Sequence, residues 1–283
     1  MRYIDEIARK NQAYWDSNVT EGDRNTVPFL DLNADAYWDY AAGRSSSWPC
    51  MEFEDAPEGV LLKKARDKDV LCLASGGGRQ SAELGLLGAR VTVIDLCAGQ
   101  LEADRCAADH YGYEVRTIQG DMRDLSAFED QSFDHVLQGI SLTFVPDLRQ
   151  VYGEVLRVLR TGGLYAAAHC NPATYPMSFD GPDNGWDGTG YRIAEPYAGG
   201  PIRVGSDGRE TMSKGEPGGE HRHLFRDIFN GLIDTGFQIR KVWDPQWHEL
   251  FAAFPEPGTW QHQRAFAAYF SVLSKKTGSS PGE

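Results

Sequence analysis

From Asp69 to His169 the chain alternates short apolar runs with longer segments whose apolar positions recur at helical spacing. The runs are Val70-Leu71-Cys72-Leu73-Ala74, Val91-Thr92-Val93-Ile94, Val115-Arg116-Thr117-Ile118, Phe133 to Gln138, and Leu164 to His169. Between them, Gln80 to Gly88, a stretch after Asp95 ending near His110, and Leu148 to Leu159 predict helices, the last stopped at Gly162-Gly163. Strands alternating with helices specify βαβ units, and so an α/β fold with helices on both faces of a parallel sheet. Such sheets bind ligands at the carboxyl ends of their strands.

The flanks read differently. Ile4, Ile7, Ala8 and Tyr14-Trp15 are spaced for a short amphipathic helix over residues 1–19. Residues 20–60 carry Phe29, Tyr37, Trp38, Tyr40 and Trp48 without a strong period. Residues 171–222, rich in Gly and Pro, are too long for an ordinary connection and read as a lid or as partly disordered chain. A helix follows from about Leu224 to Thr235, ending at Gly236, and Phe237 to Trp243 and Ala265 to Ser274 predict two more strands. The expected organisation is a cap segment over 1–60, a domain over 61–274 containing the 171–222 insertion, and a disordered tail over 275–283.

Composition narrows the function classes. The 283 residues are 41% hydrophobic, enough for one sizeable core. Acidic residues outnumber basic ones by 41 to 28, a net charge of -13, whereas a polyanion partner needs a basic stripe, so no nucleic acid is expected. No apolar run approaches the roughly 18–20 residues that cross a bilayer. Nor does the N-terminus have the apolar stretch of a secretory signal, so the expected location is the cytoplasm, with no membrane partner. Cys50, Cys72, Cys97, Cys106 and Cys170 form no Cys-x-x-Cys pair, which indicates neither a disulfide framework nor a zinc knuckle. Cys72 lies inside an apolar run and reads as buried filler. His, Glu and Asp fall in no metal-ligand spacing, so no metal is expected.

The candidate chemistry sits at the ends of the apolar runs. Ala74-Ser75-Gly76-Gly77-Gly78 ends the first; small residues there let backbone amides and a helix N-terminus approach a ligand closely. A plain strand-to-helix turn is the bland alternative. Asp95 ends the second run, nineteen residues after Gly76, where a carboxylate can accept both ribose hydroxyls or simply cap a helix. The dinucleotide fingerprint G-x-G-x-x-G nearly fits from Gly76, but Ser81 occupies its last position. Gly120-Asp121-Met122 follows the third run, and a nicotinamide-binding reading does not explain it.

Val70 to Gly78, Val93-Ile94-Asp95, Gly120-Asp121-Met122, Phe133-Asp134 and Leu156 to Gly163 together resemble class I S-adenosylmethionine-dependent methyltransferases, over about residues 69–170. The resemblance implies a Rossmann-like, doubly wound seven-stranded sheet with its last strand antiparallel, an N-terminal cap and a lid. It implies S-adenosylmethionine as cofactor, contacted by Ala74, Ser75, Gly76, Gly78, Asp95, Leu96, Gly120, Asp121, Met122 and Gln138. Asp121 would lie beside the adenine amino group and Met122 against the ring. Two positions depart from the family pattern: Cys72 stands where an acidic residue is common, and Ala74 replaces the first glycine. Leu71 to Gly78, Gly120 to Ser126, Phe144-Val145-Pro146-Asp147 and Asn171-Pro172 further resemble a bacterial subgroup largely without assigned substrates, which leaves the acceptor open.

The implied reaction is an in-line transfer of methyl to a small-molecule O, N, S or C nucleophile. His169, ending the fifth run, and His223, aligned with a histidine of the subgroup, are the candidate bases, with Glu220 nearby; His221 is a neighbouring alternative. Tyr14 and Trp15, on a helix that in this family often covers the methionine end, and Asn171 are the expected substrate-binding residues. Trp186, Tyr191, Tyr197, Trp243, Trp247 and Trp260 could line the acceptor pocket, though ordinary packing explains such aromatics as well. Two other readings are weighed: a protein of this fold that binds the cofactor without methyl transfer, and a nicotinamide-dependent oxidoreductase.

Overall fold

A computed structural model describes residues 5–23, 25–51, 53–174, 176–177, 186–193, 196–201, 220–244, 256, 262 and 269–278. Its strands are β1 (Asp69–Leu73), β2 (Arg90–Asp95), β3 (Val115–Gln119), β4 (Phe133–Gln138), β5 (Leu159–Cys170), β6 (Phe237–Trp243) and β7 (Tyr269–Lys276). They form one seven-stranded sheet in the order β3-β2-β1-β4-β5-β7-β6. The first five are parallel, and β7 runs antiparallel to both β5 and β6. The α/β, doubly wound expectation and its antiparallel last strand are therefore met.

Helices cover both faces. On one face α6 (Leu148–Val158) and α7 (Phe225–Thr235) enclose a core that includes Leu71, Val136, Tyr152 and Tyr165. On the other, α3 (Pro57–Leu62), α4 (Arg79–Leu86) and α5 (Ala98–Tyr111) bury Leu61, Val70, Cys72 and Leu84. Cys72 is fully buried, in keeping with its reading as filler. Alternate residues of one strand thus feed opposite cores, which is why the runs are apolar throughout.

Four features differ from the sequence pattern. First, α2 (Ala34–Ala41) and α3 fall within the stretch without a strong period. The eight residues of α2 bury only Tyr37, whose hydroxyl donates to Glu83 Oε1 at 2.9 Å, too little to generate a stripe. Second, Gly162-Gly163 does not precede β5 but lies within it, where the pairing register with β4 shifts. Gly163 is required there, since a Cβ would stand 2.7 Å from the Asp134 carbonyl oxygen. Third, β7 continues through Lys275 and Lys276, residues assigned to a disordered tail; Lys276 Nζ donates to the Leu159 carbonyl at 2.8 Å. Fourth, Gly200–Pro201 pairs with His221–Arg222 inside the expected lid. Most of that lid, Ile4, Trp247, Trp260 and the tail from residue 279 lie outside the described residues.

Candidate active site

The carboxyl ends of β1, β2, β3 and β4 converge beneath the first helix, α1 (Glu6–Glu21). The chain leaves β1 through a turn whose backbone is left-handed at four of five residues: Ala74 (φ 46°), Gly76 (61°), Gly77 (69°) and Gly78 (81°). Each glycine meets a different constraint. A Cβ on Gly77 would stand 2.8 Å from the Asn25 carbonyl oxygen, and one on Gly78 2.9 Å from that of Ala103. At Gly76 the nearest atom would be Gln100 Nε2, at 3.4 Å. Ala74 holds its conformation with a Cβ present, a local strain of about 1–2 kcal/mol.

Asp95 ends β2 facing this turn. Its Oδ1 accepts the Cys97 N–H at 2.9 Å, the helix-capping contact that the sequence allowed. Burial pushes its carboxyl up to about 6, against the Cys97, Leu96 and Gly76 amides, which favour the charged form, while Asp16 pushes the same way as burial. Leu96 beside it is half-buried. A ligand approaching the turn therefore meets a carboxylate acceptor and backbone donors on one wall.

The opposite wall is Met122, 7% exposed, with Gln138 behind it. Gln138 is fully buried and its amide is committed: Nε2 donates to Met122 Sδ at 3.3 Å and Ser141 Oγ at 2.9 Å, and Oε1 accepts from the Tyr165 hydroxyl. Gln138, expected to touch the cofactor, here holds Met122 and Ser141 from behind. Gly120 belongs to the same wall, where a Cβ would press Ile94 Cδ1 at 2.9 Å.

Asp121 has a partner that the sequence did not suggest. The Arg123 guanidinium reaches its Oδ2 at 2.8 Å, and the Arg123 N–H reaches Oδ1 at 2.8 Å. The same guanidinium donates at 2.8 and 2.9 Å to the two carboxylate oxygens of Asp5, the N-cap of α1. Arg123 thereby holds the Asp5 carboxyl down, at about 2. Arg123 Nε adds contacts of 3.1 and 3.2 Å to the two oxygens, so four hydrogen bonds from Arg123 occupy the roughly four lone-pair sites of the Asp121 carboxylate.

α1 roofs the cleft through side chains spread along its length. Asn11 Nδ2 donates to the Phe144 carbonyl at 2.8 Å, and the Tyr14 and Trp15 rings pack on Phe144 at 6.3 and 5.6 Å. Cys97 Sγ donates to Asp16 Oδ1 at 2.9 Å, and Val19 fills the space above Gly99. Tyr14 and Trp15 are therefore at the cleft roof. The shielded polar atoms without a hydrogen-bond partner among the described residues include Ser75 Oγ, Gln80 Oε1, Gln100 Oε1 and Asn11 Oδ1. Nothing in the spacing of Asn11, Gln80 or Gln100 singles them out, because their shielding depends on helices meeting in space.

The two candidate bases are neighbours with different situations. His169 is 3% exposed, stacked on Phe270 at 5.3 Å, and its Nε2 has no partner among the described residues. Burial and then the nearby His223 push its pKa down to about 3, so the ring is neutral. The Nε2 of His223 lies 2.9 Å from the Val145 carbonyl oxygen and 3.2 Å from that of Leu142. Two carbonyls require a proton on that nitrogen, so His223 braces the turn carrying Phe144, and burial keeps its pKa low. Asn171 Oδ1 accepts the Ala173 N–H at 3.0 Å, closing a local turn. Of the candidate pocket aromatics, Trp186 and Tyr191 cluster with His262, Tyr197 is 49% exposed, and Trp243 packs on Phe53 at the sheet edge.

A cavity of about 580 Å³ lies elsewhere, between the loop after β3 and α6, lined by Arg123, Asp124, Ser126, Gln150, Glu154 and Arg157. Its Arg157 is satisfied by Glu154, Asp130 and the Leu125 and Phe128 carbonyls, so it is a structural ion-pair surface. A smaller one, about 190 Å³, opens beside His221, Arg222 and His223. Among the described residues, no three His, Cys, Asp or Glu side chains group as metal ligands, and no helix is long and apolar enough to cross a membrane.

Residues 71–167 match the methyltransferase domain family. The uncharacterized methyltransferase YbaJ of Bacillus subtilis (strain 168) is 29% identical over 240 residues, 83% of this chain and 89% of that protein. A demethylmenaquinone methyltransferase of Clavibacter sepedonicus is 36% identical over 110 residues, 38% of this chain and 43% of its own. An S-adenosylmethionine dependent methyltransferase from Mesorhizobium loti superposes with a TM-score of 0.59 at 21% identity, covering 79% of this chain and 99% of that one. The geranyl diphosphate C-methyltransferase of Streptomyces coelicolor A3(2), solved with Mg2+, geranyl diphosphate and S-adenosyl-L-homocysteine, gives 0.59 at 16% identity over 98% and 100% of the two chains. At such identities the structural likenesses speak for the fold.

Proposed function

This chain belongs to the class I S-adenosylmethionine-dependent methyltransferases, and on that premise we propose that it methylates a small-molecule nucleophile in the cleft beneath α1. One observation carries the placement. The left-handed turn at 74–78 opens onto Asp95, with shielded Ser75, Gln80 and Gln100 oxygens that lack partners among the described residues. That donor and acceptor set suits a ligand bringing both hydroxyls and amines.

S-adenosylmethionine supplies a methyl group already activated on a sulfonium. The protein's share is therefore orientation and exclusion of water, and orientation can contribute roughly 7–11 kcal/mol. Ser75, Gly76 and Gly78 would cradle the cofactor, and the Asp95 carboxylate would accept its ribose hydroxyls. Met122, braced by Gln138, and Leu96 would flank the adenine, with the Asp121 carboxylate, held by Arg123, toward its amino group. α1, through Tyr14 and Trp15, would close over the reactants.

His169 Nε2 is the better placed proton acceptor, being neutral and without a partner among the described residues. Its low basicity suits it to orienting an acceptor hydroxyl or N–H more than to holding the proton as imidazolium. His223 would fix the turn beside it. The acidic surface disfavours a nucleic-acid acceptor. Demethylmenaquinone is a reasonable first acceptor to screen, since one partial relative bears that name.

Calorimetric titration tests the reading. S-adenosylmethionine and S-adenosylhomocysteine should bind and NADH should not; Asp95→Ala should weaken both adenosyl ligands at least tenfold with the fold intact. Binding of NADH alone would make the chain an oxidoreductase, and unchanged affinity in the variant would remove Asp95 from the ribose. Tight cofactor binding with no acceptor methylated across a broad screen would leave a binding protein.

A further inference from the structure

The turn that follows β4 offers its backbone carbonyls to elements on both sides of the cleft. It is a single 3-10 turn over Leu142–Phe144, and Leu142, Phe144 and Val145 are all buried. So short a turn cannot satisfy its own carbonyls, and buried carbonyls need donors. The donors come from distant parts of the chain. Asn11 Nδ2, on α1, reaches the Phe144 carbonyl at 2.8 Å, while His223 Nε2 reaches those of Val145 and Leu142 at 2.9 and 3.2 Å. Thr143 returns a bond, its Oγ1 donating to the His221 carbonyl at 3.2 Å. From β4, Gln138 Nε2 donates to Ser141 Oγ at the start of the same turn.

These partners lead to different parts of the site. On the α1 side, the Tyr14 and Trp15 rings pack on Phe144. On the other side, His221–Arg222 pairs with Gly200–Pro201, and Leu224, next after His223, is the N-cap of α7, its N–H on Asp227 Oδ2 at 3.0 Å. Phe225, one residue further, packs on Phe270 at 5.6 Å, and Phe270 is the ring on which His169 stacks at 5.3 Å. The stretch 221–225 therefore touches both the turn beneath the roof helix and the platform of His169. Separating the two sides would strip buried carbonyls of their donors, which is costly. One imidazole N–H shared between two carbonyls holds them together without adding a second donor group.

We propose that His223 is a positioning residue: through the turn at 141–145 it keeps the α1 roof and the His169 platform in one register, so that a ligand closed under α1 also tightens residues 220–228. For the identity of that ligand it rests on the cofactor reading above. It adds a coupling between the side of the cleft that takes the cofactor and the side that holds His169.

Amide hydrogen exchange read peptide by peptide, with and without S-adenosylhomocysteine, tests this in wild type, His223→Ala, His223→Gln and Thr143→Val. In wild type the ligand should slow exchange in α1 and in 220–228 together. In His223→Ala it should still slow α1, while the slowing over 220–228 shrinks about tenfold; His223→Gln, which keeps a side-chain N–H donor, should restore it. Without ligand, His223→Ala should speed exchange about tenfold in both α1 and 220–228 and leave β1 and β2 unchanged. Slowing of 220–228 retained in His223→Ala would remove the turn as the link, and a loss that glutamine does not restore would make His223 a packing residue only. Slowing of α1 alone in wild type would overturn the coupling and spare the cofactor reading. No ligand effect anywhere, with α1 and 220–228 still speeding together in ligand-free His223→Ala, would overturn the cofactor reading and support the register. If His223→Ala fails to fold, Thr143→Val, which removes only the bond to His221, should reduce the slowing over 220–228 about threefold, and no change there would overturn the proposal.

Discussion

Buried carboxyls set the chemistry around the turn at the scale of single residues. Asp104, on α5, is fully buried behind the turn, where Ser81 donates to its Oδ1 at 2.5 Å and its Oδ2 has no partner among the described residues. The groups facing it are Ser81 from α4, Tyr113 beyond α5 through that same hydroxyl, the Cys72 thiol from β1, Asp95 from β2, and Arg105 beside it. Burial outweighs Ser81 and Arg105, and its carboxyl is pushed from 3.8 up to about 7. A folded pKa above the unfolded one gives stability that is full below pH 3.8 and falls until about pH 7. The loss is on the order of 4 kcal/mol. Asp104→Asn should therefore gain stability over wild type progressively between pH 4 and 7 and hold the gain at pH 8, read as the difference between two urea-denaturation series. A pH-independent difference would mean that Asp104 does not titrate in this range.

At the scale of elements, the Asp5–Arg123–Asp121 chain joins α1 to the turn after β3, and its two halves are unequal. The Arg123 and Asp121 side chains are both 4% exposed, whereas the Asp5 side chain is 39% exposed. Removing the guanidinium in Arg123→Met leaves a buried carboxylate uncompensated, a loss of about 3–5 kcal/mol. Asp5→Asn weakens only a partly solvated pair and should cost about 1 kcal/mol or less. Urea midpoints for the two variants check the ordering, and a larger loss for Asp5→Asn would place the weight on the cap instead. Nothing in the spacing of Asp5, Asp121 and Arg123 reveals this link, since it spans 118 residues of chain. By contrast, β1, β2 and β4 were legible because both their faces are buried, and Asp95 because a strand end fixes where it points. α2 was not, having one buried residue, and Gly162-Gly163 read as a turn because a bulge within a strand and a helix stop use the same residue type.

Over the whole molecule, the parallel sheet and its two cores form one unit, and α1 is attached to it by a few side chains. Its ties include the Asn11 amide, the Asp16–Cys97 contact, the Tyr14 and Trp15 rings on Phe144, Val19 against Gly99, and the Asp5 carboxylate. An element held this way opens with less free energy than global unfolding requires. A ligand enclosed between α1 and the strand ends would be released by that opening, so binding must protect α1 by the full linkage term, about 2.7 kcal/mol at a hundredfold excess over Kd. Edge strand β6 lies at the far end of the sheet, and its local fraying need not disturb the ligand. Saturating S-adenosylhomocysteine should therefore slow amide hydrogen exchange in α1 by roughly a hundredfold under those conditions, while the fastest β6 amides stay unchanged. Equal slowing in both would mean that exchange proceeds only through global unfolding. No slowing in α1 would mean that the helix opens with the ligand still bound, and its aromatics would lose their place over the reactants.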